Sequence, residues 1–187
     1  MVVITVTMGG IDITSTALDG NTITISKVTG NIVVTAMVIV GYDADLLTTC
    51  DVKLNKRWSS SSKDYMDRNG AIAFSVPFKD IDGRTIKITG FTPETDGVSA
   101  WYACDANGST LGRIASTNAG VVWTSSALID NGDGSYNLPI SKEIFFSYSN
   151  SKPLTETPTT IYITMYVNGG TAISSTEGLK MLLSDLN

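Results

Sequence analysis

The 187-residue chain contains no histidine and only two cysteines, Cys50 and Cys104. Without histidine it lacks the commonest general base, the usual base of a catalytic triad and the most frequent transition-metal ligand. The two cysteines are too few for a disulfide framework and are not spaced as in a zinc site, and the sequence leaves open whether they pair. We therefore expect a non-enzymatic protein with no cofactor and no metal, although paired-carboxylate chemistry stays formally open.

Charge and long hydrophobic runs are also scarce. The 13 basic and 18 acidic residues give a formal charge of −5, and no basic block is present, which argues against a nucleic-acid partner. The longest apolar run, residues 32–40, contains Thr35 and is too short to span a membrane, so we expect no membrane insertion. The N-terminus alternates apolar residues with Thr and has no basic n-region, which favours a strand over a signal peptide.

Apolar residues make up 42% of the chain, and Thr, Ser, Asn and Gly are abundant, as is typical of short strands joined by polar turns. We therefore predict an all-β protein. Residues 1–42 form a small β-meander, Ig-like or a partial sandwich, whose predicted strands are 2–7, 11–13, 21–25 and 31–35. So small a module packs on the rest of the chain, on a second copy or on a neighbouring protein.

The composition changes over residues 43–69, where acidic residues, then basic residues and a Ser tract follow without a clear period. This stretch is predicted to be a linker or arm. Residues 70–187 are predicted to be a β-sandwich of jelly-roll type, because short strands recur between Asp-Gly and Asn-Gly turns. Its predicted strands are 71–78, 84–91, 98–104, 112–116, 136–140 and 159–167. A short C-terminal helix is predicted because Leu179, Leu182, Leu183 and Leu186 fall on one helical face.

Two resemblances accompany these patterns. The run VTMGGIDITST, followed by VTGNIVVTA, resembles the C-terminal half of a small β module of bacteriophage structural proteins and of Firmicutes cell-surface proteins, without the module's earlier strands. The order ITGF, VSAWYACDANGSTLG, GSYNLPI and IYITMYV, over residues 55–170, is similar to jelly-roll, carbohydrate-binding-like domains of phage tail, baseplate and fibre proteins. Together they imply a virion protein, and neither brings catalytic residues with it.

Aromatic side chains are the candidate ligand-binding or interface residues, because sugars stack on exposed indole and phenol rings and because Trp is frequent in binding hot spots. Adjacent residues of a strand face opposite ways, so one of Trp101 and Tyr102 is expected in the core. Trp58, beside basic residues and the Ser tract, is the better candidate for exposure. The candidate residues are Trp58, Tyr65, Trp101, Tyr102 and Trp123.

Acidic residues in the predicted turns, such as Asp130 and Asp133, are interpreted as caps of backbone amides rather than as a calcium site. The leading hypothesis is therefore a bacteriophage structural protein on the virion surface, in a capsid decoration, head-fibre, tail or baseplate position. Its expected partners are copies of itself, trimers being typical of phage fibres, other virion proteins and a host surface glycan. The alternative is a carbohydrate-binding or adhesion module of a bacterial cell-surface protein.

Overall fold

The computed structural model describes residues 2–20, 22–38, 41–90, 100–115, 128–147, 149, 152–167, 170–176 and 178–184. The chain forms two compact units, Met1–Gly41 and Tyr42–Leu186, called unit 1 and unit 2 below. The described strand pairs are all antiparallel, so the prediction of an all-β sandwich protein is confirmed. No helix within the described ranges is both long and apolar enough to cross a membrane.

Unit 1 is built from short strands around one long pair. Its elements are β1 (Val2–Met8), β2 (Ile11–Asp12), α1 (Thr14–Ala17), β3 (Leu18–Asp19), β4 (Thr22–Ile23) and β5 (Ile32–Val38). The strand order β2-β1-β5 differs from the predicted meander, because β5 returns to pair with β1 along its whole length. β3 and β4 form a separate two-stranded sheet. The positive φ angles of Gly9 and Gly10 make the tight β1–β2 turn that this order requires.

Unit 2 contains eleven described strands in two sheets. They are β6 (Tyr42–Asp45), β7 (Lys53–Ser59), β8 (Asp64–Pro77), β9 (Thr85–Thr89), β10 (Ala100–Cys104), β11 (Thr110–Ala115), β12 (Ile129–Asp130), β13 (Ser135–Pro139), β14 (Phe146–Ser147), β15 (Thr160–Tyr166) and β16 (Lys180–Ser184). Two one-turn helices, α2 (Leu46–Thr49) and α3 (Phe78–Ile81), and a 3-10 helix, Lys142–Ile144, lie in the connections. The six predicted strands of this half correspond to β8, β9, β10, β11, β13 and β15.

The two sheets of unit 2 enclose one hydrophobic core. The first sheet has the order β14-β11-β10-β15-β8-β7 and the second the order β12-β13-β9-β16-β6. Alternate residues of the central strands point inward, such as Phe74 of β8, Ile163 of β15 and Ile88 of β9, and all three are fully buried. The chain crosses between the sheets repeatedly, as from β8 to β9 and from β9 to β10, a connection pattern that jelly rolls share.

The predicted linker over residues 43–69 is wrong. Most of this stretch consists of β6, α2, β7 and the first part of β8, and it lies within unit 2. Its polar appearance arises because β7, which carries Lys53, Lys56 and Arg57, is an edge strand, where charged side chains are common. The ion pair Lys56–Asp67, with 2.6 Å between Nζ and Oδ1, joins β7 to β8 on the solvent side.

The predicted C-terminal helix is also wrong. Lys180–Ser184 forms β16, which lies between β9 and β6 in the second sheet. Leu179, Met181 and Leu183 are buried at period two, and this pattern coexists in the sequence with the helical spacing of the leucines. The open edge of β9 favours the strand, because pairing there satisfies the backbone groups of β16 and buries its apolar side chains at once.

Candidate functional site

Three aromatic rings among the described residues contact one another on the face of the first sheet that points away from the core. Tyr162 of β15 alternates with the core residues Ile161 and Ile163, so its ring projects from that outer face. The Trp58 ring stacks on the Tyr162 ring with 3.6 Å between centroids and 8° between planes. Tyr65 meets Trp58 edge-on at 5.2 Å. We call Trp58, Tyr65 and Tyr162 the aromatic cluster.

The β7–β8 hairpin covers this cluster because it bends back across the sheet. The bend lies at Asn55 and Gly70, which both have positive φ angles, and the Asn55 side chain accepts a hydrogen bond from the Gly70 N–H at 3.2 Å. The backbone N–H of Trp58 donates to Thr164 Oγ1 at 2.9 Å. At the hairpin tip, Lys63 Nζ donates to the carbonyl of Asn107, in the β10–β11 turn, at 3.2 Å.

Trp58 belongs to the hairpin, and its burial against the first sheet changes the interpretation of this residue. The residue is only 5% exposed, so the expectation of an exposed indole is wrong. Its indole Nε1 is buried and has no hydrogen-bond partner within the described part of the chain. Desolvation is the main cause that raises the pKa of both Tyr65 and Tyr162 above the ordinary value of 10.0. The Trp58 indole is therefore closed to a sugar, whereas the Tyr65 and Tyr162 rings are half-buried.

The other aromatic candidates occupy different environments. Trp101 is fully buried in the main core, and Tyr102 is half-buried on the opposite face, as the alternation along a strand predicts. Tyr102 lies directly across from Tyr162 in the β10–β15 ladder, beside the aromatic cluster. Trp123 lies outside the described residues. The structure thus joins Trp58 to Tyr65 and adds Tyr162, which sequence reasoning missed because only the bent hairpin brings it into contact.

The two cysteines are free thiols, which answers the open question of their pairing for this structure. Cys50 lines a cleft of about 360 Å³ together with Asp80 and Arg84. Burial is the main cause that raises the pKa of both thiols above 9.0. Each sulfur therefore stays protonated near neutral pH, which is the opposite of the activation that a nucleophilic cysteine needs.

The aspartate side chains of the acidic turns accept hydrogen bonds from backbone N–H groups of the same turns. Asp130 Oδ1 accepts the Gly132 N–H at 2.8 Å, and Asp133 Oδ1 accepts the Ser135 N–H at 2.9 Å. The hydroxyl and backbone N–H of Ser135 are the main causes that lower the pKa of Asp133. Among the described residues no cluster of three or more carboxylate or thiol groups is arranged to hold a metal ion. These carboxylates make the amide contacts that the turn interpretation requires.

Sequence reasoning missed the groove of about 610 Å³ beside the edge strand β14. Its lining includes the apolar residues Leu111, Pro153 and Leu154, several hydroxyl groups and one charged residue of each sign. The remaining lining residues are Thr110, Ser147, Ser149, Lys152, Thr155 and Glu156. The volume is within the range of small-ligand sites. No sequence signal marks it, because the lining comes from β11 and from a loop about 40 residues later.

The position of the groove depends on a close approach of backbones. Gly112 of β11 lies so near β14 that an added Cβ would be 2.6 Å from the Phe146 carbonyl oxygen. Only glycine allows that approach, which keeps β14 and the following loop against β11.

No family model, curated protein or solved structure matches this chain.

Proposed function

We propose that this chain is a non-enzymatic structural protein of the bacteriophage virion surface, a capsid decoration, head-fibre, tail or baseplate component, and that it acts by assembly. The observation that carries the assembly role is the exposure of apolar side chains in unit 1. Val6 and Ala17 are the buried hydrophobic residues among those described there, whereas Ile11 is 70% exposed and Val33 55%. Further exposed residues of this unit are Ile23, Val28, Ile32 and Val34.

Such exposure favours a partner because apolar patches on a soluble protein mark sites of association. A small three-stranded sheet buries little apolar surface unless another layer packs on one of its faces. Unit 1 therefore buries little apolar surface alone. The virion context rests on the resemblance of the VTMGGIDITST and VTGNIVVTA runs to phage modules. Copies of this chain and other virion proteins are the proposed partners.

Labelling of intact particles tests the virion assignment. Antibodies raised against the chain are expected to label phage particles released from the strain that encodes it, as seen by immunogold electron microscopy. Labelling confined to the envelope of uninfected cells would instead support the alternative, an adhesion module of a bacterial cell-surface protein. Unlabelled particles together with a monomeric chain at all concentrations would refute the assembly role.

Host-glycan adhesion is the second candidate function, and the groove beside β14 favours it. A lining that mixes hydroxyl groups with apolar side chains matches the mixed surface of a saccharide, and Lys152 and Glu156 add charged groups to that lining. The buried indoles of Trp58 and Trp101 would not contribute to this site. Titration of host polysaccharide into Glu156→Gln and into the control Glu143→Gln, an exposed carboxylate outside the groove, tests it. Equal binding by both variants would exclude the groove.

A further inference from the structure

Strand β5 is an open sheet edge. Its one strand neighbour in the described part of the chain is β1, and every residue from Asn31 to Ala36 is exposed. An edge of this kind presents a row of unpaired N–H and C=O groups to any strand that approaches. Proteins usually guard such edges with charged residues, prolines or bulges. The residues of β5 include no proline and no ionisable side chain.

The hydrogen bonds at the start of the β1–β5 ladder fix which backbone groups point outward. Met8 lies opposite Ile32, and the Gly9 N–H donates to the Asn31 carbonyl at 2.8 Å. In an antiparallel ladder this makes residues 31, 33, 35 and 37 the hydrogen-bonded partners of β1. The N–H and C=O groups of residues 32, 34, 36 and 38 therefore point to the open edge.

The backbone of Val6, which lies opposite Val34, confirms this phase. Its N–H donates to Thr14 Oγ1 at 2.8 Å, and its carbonyl accepts the Ile13 N–H at 2.9 Å. Both groups of Val6 thus point away from β5, as expected for a pair that exchanges no ladder hydrogen bonds. The assignment of residues 32, 34, 36 and 38 to the open edge therefore follows independently from the Gly9–Asn31 hydrogen bond and from the hydrogen bonds of Val6.

We propose that β5 pairs with β5 of a second copy of this chain, antiparallel and centred on Thr35, and this inference rests on the proposed assembly function. Centring on Thr35 sets Val34 against Ala36 and Ile32 against Val38. It is the antiparallel register in which all seven residues overlap and all four outward residues bond to outward residues. The unit 1 of one copy and the unit 1 of the other then share one six-stranded sheet of order β2-β1-β5-β5-β1-β2.

A second copy fits this edge better than a charged partner does. β5 has no ionisable side chain, and residues 1–41 contain only Asp12, Asp19 and Lys27, so two copies meet without like charges at the contact. The pairing also repeats one that β5 already makes, since Thr35 lies opposite Thr5 in the β1 ladder. β-branched pairs of this kind stabilise adjacent strands.

The contact is small, and this sets the expected affinity. One strand pair buries less than the roughly 1,000 Å² that stable interfaces exceed, so the dimer dissociates on dilution through about the micromolar range. Sedimentation velocity of the full chain over a concentration series measures this. Val34→Lys places a charge on the edge and is expected to weaken dimerisation at least tenfold. The control Val28→Lys, the same change at an exposed loop residue, leaves it unchanged.

Cysteine cross-linking tests the register. In the proposed pair the two Thr35 residues face each other in a non-hydrogen-bonded position with Cα atoms about 4.5 Å apart, which suits a disulfide. Thr35→Cys is expected to form a covalent dimer under mild oxidation. Val33→Cys is not, because the two copies of residue 33 lie about 13 Å apart along the strands. Circular dichroism checks that both variants fold.

The outcomes separate this inference from the proposed function. A dimer that Val34→Lys leaves intact, or equal cross-linking of both cysteine variants, would overturn β5 pairing and leave assembly through another surface standing. A chain that is monomeric at every concentration would overturn β5 pairing, and only together with unlabelled phage particles would it also overturn the assembly role. Dimers lost in Val34→Lys, with unlabelled phage particles, would support β5 pairing and refute the virion assignment.

Discussion

Units 1 and 2 have the same strand-forming alternation, but among the described residues the hydrophobic core cluster lies in unit 2 alone. All three Trp, seven Tyr and five Phe residues lie after residue 41. In unit 2 large side chains such as Phe74 and Phe145 fill the space between two sheets. Unit 1 relies on Val, Ile and Thr, which favour extended backbone but are too small to fill a second layer. Strand propensity alone therefore makes sheets, and bulky inward residues make a domain.

The largest expected effect is on the unit 2 core. Phe74→Ala removes a fully buried ring and is expected to lower the free energy of unfolding by about 3–5 kcal/mol. Val33→Ala in unit 1, where the residue is 55% exposed, is expected to change it by less than about 0.5 kcal/mol. Urea unfolding followed by Trp fluorescence measures unit 2, and far-UV circular dichroism follows both units. Similar losses in the two variants would contradict the comparison.

An intermediate effect is expected at the hairpin that covers the aromatic cluster. Trp58→Ala removes the ring stacked on Tyr162 and is expected to lower the free energy of unfolding by about 2–4 kcal/mol. The value lies toward the lower end for buried rings because the indole N–H has no hydrogen-bond partner among the described residues. Met66→Ala, an exposed residue of the same hairpin, serves as the matched control and costs less than about 0.5 kcal/mol. Equal stability of the two variants would show that the hairpin is not anchored by the cluster.

A smaller effect is expected from alkaline pH. Burial raises the pKa of Tyr65 and Tyr162 in the folded chain above 10.0, so the folded state binds protons more tightly there than the unfolded state. Their contribution to stability is complete below pH 10 and is lost as pH rises through the folded pKa values. Tyr162→Phe should reduce this alkaline loss. An unchanged slope of stability against pH above 10 would contradict the buried cluster.

The sequence predicted the elements whose patterns are local. Period-two alternation identified β1, β5, β8 and β15, and Asp-Gly and Asn-Gly pairs located turns such as the one at Asp130–Ser135. The aromatic cluster was not predictable, because the bend at Asn55 and Gly70 brings Trp58 onto Tyr162 from about 100 residues away. β16 was misjudged for a related reason, since the open edge of β9 decided between two patterns that Leu179–Leu183 satisfy equally.

Hydrogen exchange at two protein concentrations tests most directly the claim that unit 2 is self-sufficient and that unit 1 depends on a partner. The amides of β8 and β15 are expected to exchange slowly and equally at both concentrations. Amides of residues 32, 34 and 36 should exchange fast in dilute solution and become protected when the chain is concentrated. Slow exchange of those three amides in dilute monomer, or no change on concentration, would contradict the account.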